Sequence, residues 1–271
     1  MSDKYAVIGN PIAHSKSPLI HEAFAKQTGQ KISYERILAP LDGFEVTLES
    51  LVTQGYKGVN VTVPFKLEAY ELCQTHTGRA FVAGASNTLI FNGGHIAGDN
   101  TDGAGLVNDI EKNLEVCLQG KQILLLGAGG AAQGVLQPLL EAQPKVITVA
   151  NRNVDKAHLM LKRLAIKQAT CGISVLSFEA LTQQYDVIIN ATSAGLTETA
   201  LPIANGIFSN NSLAYDMMYG RETPFMQQAR ENGAQVADGL GMLVEQAAEA
   251  FYIWRGVRPE TQPVIAMLRA L

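Results

Sequence analysis

Cysteine is scarce in this chain, aromatics are few, and neither sign of charge dominates. The three cysteines, Cys73, Cys117 and Cys171, lie far apart and form no CxxC pair. That excludes a disulfide framework or a cysteine-built zinc site and fits a reducing compartment. The five histidines make no HxxxH or HExxH spacing, so no metal site is expected. Twenty-one Lys and Arg against 25 Asp and Glu leave a net charge of −4, which argues against a surface built to neutralise a nucleic-acid backbone. No apolar run approaches the ~20 residues of a membrane span. The amino terminus, MSDKYAVIGN, has no apolar signal region or cleavage site. The expectation is a cytoplasmic monomer or homodimer that takes a small molecule and has no nucleic-acid or membrane partner. With 47% hydrophobic and 17% charged residues the chain is not disordered, and 271 residues make one large or two small domains.

What the chain does have is alternation. Short β-branched runs at Tyr5–Ile8, Ser33–Leu38 and Gly58–Val63 are separated by helical segments at Pro18–Thr28 and Phe44–Thr53. Ser17 reads as an N-cap before Pro18, and Gly29 as the stop. A helix begins near Pro64. Strands at Thr88–Phe91 and His95–Ala97 flank a hairpin turn, Asn92-Gly93-Gly94, and a helix follows from about Gly103 to Asn113. Gln119-Gly120 is the first clear seam. Beyond it, near-continuous apolar strands (Ile123–Leu126, Val146–Ala150, Ile173–Leu176, Val187–Asn190, Leu213–Tyr215) point to a parallel sheet covered on both faces. Helices are expected at Ala131–Ala142 and Asp155–Lys167. After a last strand near Ala237 come two helices, Leu240–Arg255 and Thr261–Leu271, which would return to the first domain.

The turn Gly127-Ala128-Gly129-Gly130-Ala131-Ala132 joins a strand to a helix. The first glycine permits the tight turn, the second lets backbone approach a pyrophosphate, and Ala132 is the small residue where helix meets sheet. Free helix amides and the helix dipole favour the anion. The next strand ends at Ala150, where an NAD site would place an acid. Here stand Asn151, Arg152 and Asn153, with Lys156 one turn on. Cations oppose a helix N-terminus by several tenths of a kcal/mol, so an anionic 2′-phosphate explains them and NADP is expected over NAD.

Three clusters in the first hundred residues look chemical. Ser15 and Ser17 bring two hydroxyls to a helix start, a setting suited to a carboxylate. Lys66, in the first turn after Pro64, is a cation at the wrong helix end. Either it is a surface lysine, or the dipole and partial burial push it toward the neutral form and a carboxylate fixes it for proton transfer. In Asp99-Asn-Thr-Asp102-Gly103, one of Asp99, Thr101 and Asp102 caps a helix, and a second acid is left to face a cleft. Asn87 is a turn residue or a hydroxyl partner. Gln246 sits at the edge of an apolar helical stripe (Leu243, Ala247, Ala250, Trp254), where a packed amide needs polar partners.

Eight motifs in order carry a resemblance: GNPIAHSKSP (Gly9–Pro18), NVTVPFK (Asn60–Lys66), GASNT (Gly84–Thr88), GDNTDG (Gly98–Gly103), GAGGAA (Gly127–Ala132), NRN (Asn151–Asn153), NATSAG (Asn190–Gly195) and DGLGMLVEQA (Asp238–Ala247). Together they resemble the shikimate dehydrogenase family over nearly the full length. The resemblance implies an NADP-dependent, reversible reduction of 3-dehydroshikimate to shikimate in aromatic amino-acid biosynthesis. It implies two α/β domains with the active site between them: a substrate domain, residues 1–103 plus 239–271, and a Rossmann-type NADP domain, residues 104–238. It further implies that Ser15, Ser17 and Tyr219 hold a carboxylate, and that Thr62, Asn87, Lys66, Asp102 and Gln246 hold ring hydroxyls. Lys66 paired with Asp102 would exchange the proton, and Met217 and Gly239 would line the nicotinamide. Asn153, Gly78 and Ser86 depart from the residues frequent in relatives; the first still leaves a donor at the phosphate site. The rival readings are a quinate or quinate/shikimate dehydrogenase using NAD, which an acid at Asn151 or Arg152 would favour, and a non-catalytic NADP-binding sensor, which loss of Lys66 or Asp102 would favour.

Overall fold

The computed structural model of the chain describes residues 2–163, 171–192, 194 and 199–271. It divides into two compact units, Met1–Gly105 with Leu243–Leu271, and Leu106–Met242. The first unit runs β1 (Asp3–Gly9), α1 (Ser17–Thr28), β2 (Ile32–Leu38), α2 (Phe44–Thr53), β3 (Tyr56–Val61), α3 (Lys66–Leu72), β4 (Thr75–His76), α4 (Gly78–Ala83), β5 (Thr88–Asn92) and β6 (His95–Asp99). Its six strands lie in the order β2-β1-β3-β5-β6-β4. The first three are parallel, and the β5–β6 hairpin turns antiparallel to β3, with Asn60 opposite Thr88 and Thr88 opposite Asp99. That register aligns the ends of three strands that carry polar residues.

A helix α5 (Asp102–Asn108) leads through a π-helical turn, Asp109–Asn113, toward the second unit's sheet. That unit contains β7 (Gln122–Leu126), α6 (Gly130–Glu141), β8 (Val146–Ala150), α7 (Val154–Arg163), β9 (Gly172–Leu176), β10 (Val187–Asn190), β11 (Leu213–Asp216), α8 (Pro224–Glu231) and β12 (Gln235–Asp238). All its strands are parallel, in the order β12-β11-β10-β7-β8-β9. Taken from the other edge this is the 3-2-1-4-5-6 order of dinucleotide-binding sheets, in which strand order reverses between β7 and β10 and ligands bind beyond their carboxyl ends. Ile123 to Leu126 are fully buried, as a strand covered on both faces must be.

The last helices, α9 (Leu240–Arg255) and α10 (Gln262–Arg269), follow β12. Trp254 on α9 stacks on Tyr5 of β1 at 4.6 Å and donates its indole N–H to the Leu89 carbonyl at 3.0 Å. Gly58 of β3 admits that indole, for a Cβ there would collide with its nitrogen.

Several elements differ from the sequence reading. Helices α4 and α8 and the two-residue β4 were not expected. Each helix is short and capped by a threonine, Thr77 accepting from the Ala80 amide and Thr223 from the Met226 amide. Helix α1 begins at Ser17, so Ser17 is its first residue and Lys16 holds the capping position. Gln119-Gly120 is a turn inside the second unit, with Gly120 at φ +74°. The expected end of the α7 helix at Lys167 lies outside the described residues, as do Ser193 and Gly195 of the NATSAG motif.

Candidate active site

The serine loop is built by close backbone ties. The Ser15 amide donates to Ile12 O at 3.0 Å, and Arg36 from β2 donates twice to the Ser15 carbonyl, at 2.9 and 2.6 Å. Ser15 Oγ accepts from the Ser17 amide at 3.3 Å and its hydroxyl donates to Ser17 Oγ at 3.2 Å. Ser17, expected from sequence as the N-cap, is thus the first helical residue, and its amide is received by Ser15 Oγ from one residue before the capping position. Thr62 follows β3, with its amide on Ile8 O at 2.9 Å. Its methyl fills the space beside Gly9 that a Cβ would need, and its hydroxyl makes no hydrogen bond among the described residues.

Lys66 is the first residue of α3, and its Nζ lies 2.6 Å from Asp102 Oδ2. The other carboxylate oxygen accepts from Asn87 Nδ2 at 2.8 Å. Asn87 is a hub rather than a turn residue. It is 2% exposed, its amide also reaches Thr101 Oγ1 at 3.0 Å and Gln246 Oε1 at 3.4 Å, and its oxygen accepts the Thr101 amide at 2.9 Å. Gln246 points inward from α9 and donates to Leu243 O at 2.8 Å. Lys66, Asn87, Thr101, Asp102 and Gln246 are therefore drawn together within the first unit. Lys66 keeps a side chain 30% exposed against 12% for Asp102, so an ammonium fixed on one side by a carboxylate is open on the other.

Thr101, one of the three residues anticipated, immediately precedes α5 and holds its capping position, its carbonyl accepting the Gly105 amide at 2.9 Å. Asn100 Oδ1 accepts the Asp102 amide at 3.1 Å. Asp99, 3% exposed, is held instead by Arg79, whose cation is disfavoured by burial but more than restored by Asp99 and Glu249.

In the second unit, the glycine turn lies where the strand order reverses. Gly127 has φ +109°, and a Cβ on it would sit 3.1 Å from Ala191 O beyond β10. Side chains on Gly129 or Gly130 would meet nothing within 4 Å among the described residues, whose packing does not require these glycines. Gly129 caps α6 with no side-chain bond, leaving the first amides of α6, including those of Gly130 and Ala131, free of a side-chain acceptor. Ala128 is nearly buried and Ala132 fully so against the sheet. Asn151 donates to Asn153 O at 2.8 Å, and Asn153 Oδ1 accepts the Lys156 amide at 3.2 Å, capping α7. Arg152 and Lys156 are exposed and make no ion pair among the described residues. Open glycines, free amides and unneutralised cations at two adjacent strand ends fit a pyrophosphate and a 2′-phosphate of NADP.

Met217 and Gly239 are neighbours: the Gly239 amide donates to Met218 O at 2.9 Å, and a Cβ on Gly239 would overlap the Met217 carbonyl. Tyr219 follows β11, half-buried, its hydroxyl pushed up by that burial.

Three family models match the chain: the shikimate dehydrogenase substrate-binding domain over residues 7–89, shikimate/quinate 5-dehydrogenase over 109–200, and the shikimate 5′-dehydrogenase C-terminal domain over 239–269. The shikimate dehydrogenase (NADP(+)) of Methylobacillus flagellatus is 61% identical over 99% of both chains. The chain belongs to the shikimate dehydrogenase family. Among solved structures, an Ael1 enzyme of Pseudomonas putida is 47% identical with a TM-score of 0.93 and 98% coverage of both chains. The shikimate 5-dehydrogenase of Thermus thermophilus, solved with NADP(H) and shikimate, is 31% identical with a TM-score of 0.87, covering 99% of this chain and all of that one.

Within this family member the sequence reading missed Arg36, Asn60, Arg79 and Asn100. Asn60, 6% exposed, accepts from Tyr34 at 2.7 Å and donates to Asn87 O and Thr88 Oγ1. It stands in the quoted NVTVPFK motif, so its position was signalled while its partners were not. Asn190, in another quoted motif, ties strand ends together by donating to Asp216 at 3.1 Å and accepting from Thr192 at 2.7 Å.

Proposed function

We propose that the chain catalyses the reversible NADPH-dependent reduction of 3-dehydroshikimate to shikimate. The observation that carries the chemistry is the 2.6 Å pair of Lys66 Nζ and Asp102 at a polar hub. When bound, NADPH supplies the hydride and, as NADP, takes it back. Hydride arriving at the ketone carbon leaves an alkoxide, which needs a proton in the same step. Lys66 gives that proton from Nζ, and Asp102 holds the ammonium before transfer. In the reverse direction Lys66 takes the hydroxyl proton as hydride leaves carbon. A fixed donor within reach is what general acid–base catalysis requires.

Ser15 and Ser17, with Tyr219, take the carboxylate, while Thr62, Asn87 and Gln246 take ring hydroxyls. The free Thr62 hydroxyl and the long 3.4 Å contacts of Gln246 support this, since a polyol would complete both. The first unit is the substrate domain and the second the cofactor domain. The amides of Gly127 to Ala131 receive the pyrophosphate, Asn151, Arg152, Asn153 and Lys156 the 2′-phosphate, and Met217 and Gly239 flank the nicotinamide. The three free cysteines support a reducing, cytoplasmic setting.

Lys66→Met keeps most of the volume and removes the proton carrier. It lowers kcat for shikimate oxidation by about 10²–10⁴-fold, the range for general acid–base catalysis, with a smaller change in KM. A raised KM with kcat unchanged would make Lys66 a binding residue only.

A further inference from the structure

Arg79 touches none of the groups proposed to meet the substrate, yet it is wired to two of them. Its guanidinium grips Asp99 in a two-pronged pair, Nε to Oδ1 at 2.7 Å and Nη2 to Oδ2 at 2.8 Å. Asp99 Oδ1 also takes the Thr77 hydroxyl at 2.6 Å and the Asn100 amide at 2.7 Å. Asn100, 2% exposed, then anchors to Ala85 O at 3.0 Å and holds the Asp102 amide at 3.1 Å. On its other side Arg79 donates through Nη1 and Nη2 to Glu249 Oε1, both at 3.1 Å. Glu249 is one helical turn beyond Gln246 on α9, on a neighbouring position of the same helix surface, and its second oxygen pairs with Arg258.

One cation therefore joins the loop that presents Asp102 to the helix that presents Gln246. Asp102 and Gln246 are two of the three acceptors of the Asn87 amide, at 2.8 and 3.4 Å, the third being Thr101 at 3.0 Å. We propose that Arg79 is a positioning residue for the reaction, setting the spacing of the Lys66–Asp102 pair against Gln246 through Asp99 and Glu249. The inference rests on the function proposed above. A largely buried ion cluster adds little stability over an apolar one of the same shape, whereas its directional, planar bonds restrict geometry in a way a lysine cannot reproduce. Without the Arg79 cation, Asp99 would lose its ion-pair partner, Glu249 would keep only Arg258, and the loop would no longer be tied to α9. A misplacement of about 1 Å at the chemistry can cost ~10²-fold in rate.

The test uses the full-length enzyme with Arg79→Lys, Arg79→Ala and Glu249→Gln. Arg79→Lys and Arg79→Ala are expected to lose roughly 10- to 100-fold in kcat, while NADP affinity, read by fluorescence titration, stays at the wild-type value. Glu249→Gln, which weakens the arm from Arg79 to α9 together with the Arg258 pair and leaves Arg79–Asp99 in place, is expected to raise KM for shikimate with a smaller loss of kcat. Added guanidinium at millimolar concentration should restore kcat in part to Arg79→Ala and give nothing to Lys66→Met. Unchanged kcat in both Arg79 variants overturns the proposal, as does an equal loss of NADP affinity or a loss of melting temperature without rescue. Wild-type protein inactive on shikimate with NADP would instead fail the functional reading beneath it, and that outcome is seen before any variant is made.

Discussion

Arg152 stands at the start of α7 without a carboxylate partner among the described residues, and Lys156 lies one turn further on. Two unneutralised cations at the positive end of a helix are a local cost, offset when an anion binds there. Arg152→Ala should raise KM for NADP by about 10- to 150-fold, the worth of one charge-assisted bond, and leave use of NAD nearly unchanged. Steady-state kinetics with both cofactors checks this, and equal losses would contradict it. The serines show the limit of residue-by-residue reading. Both were identifiable as hydroxyls at a helix start, but whether Ser17 caps depended on whether the helix began at Ser17 or Pro18. A one-residue shift moved the capping position to Lys16 and left Ser15 Oγ to receive the Ser17 amide.

Among the elements, α1 carries the least expected titrating group. His21 is fully buried, stacked on Tyr34 at 4.1 Å, and neither ring nitrogen makes a well-formed hydrogen bond among the described residues. Burial pushes it down to about 3, with the Asn60 side chain opposing. An unfolded imidazole titrates near 6.5, so between those values the unfolded chain holds the extra proton. The folded state's advantage is complete above about pH 6.5 and is lost as pH falls toward 3, at about 1.4 kcal/mol per pH unit from this group alone. His21→Phe keeps the ring stack and removes the titration. Its melting temperature should fall less than that of wild type between about pH 7 and pH 5; parallel curves would contradict the assignment. Long, strongly patterned elements of this fold were readable: the buried strands of the second unit, the glycine turn and α9 all follow from periodicity and caps. Helices α4 and α8 were not, because six and eight residues give too little periodicity, although Thr77 and Thr223-Pro224 carried the capping signal. Of the site, Lys66, Asp102, Asn87 and Gln246 were legible from helix ends and apolar stripes. Arg79–Asp99 and Arg79–Glu249 were not, since those partners are 20 and 170 residues apart and meet only once the first unit has folded.

At the scale of the molecule, the groups proposed to meet the two ligands are divided between two units, each with its own core. Phe44, Phe65 and Leu89 belong to the core of the first, and Leu124, Ile188 and Phe225 to that of the second. Ser15, Ser17, Lys66, Asn87, Asp102 and Gln246 belong to the first unit, and Gly127 to Ala131, Arg152 and Lys156 to the second. No helix among the described residues is long and apolar enough to cross a membrane, and no cluster of His, Cys, Asp and Glu among them would hold a metal ion. The most direct measurement is the near-ultraviolet absorbance of reduced nicotinamide with the purified protein, in a matrix of shikimate or quinate against NADP or NAD. The account predicts rapid, reversible reduction of NADP with shikimate and far slower turnover in the other three combinations. Turnover with quinate and NAD equal to or above that with shikimate and NADP, or no turnover at all, would contradict it.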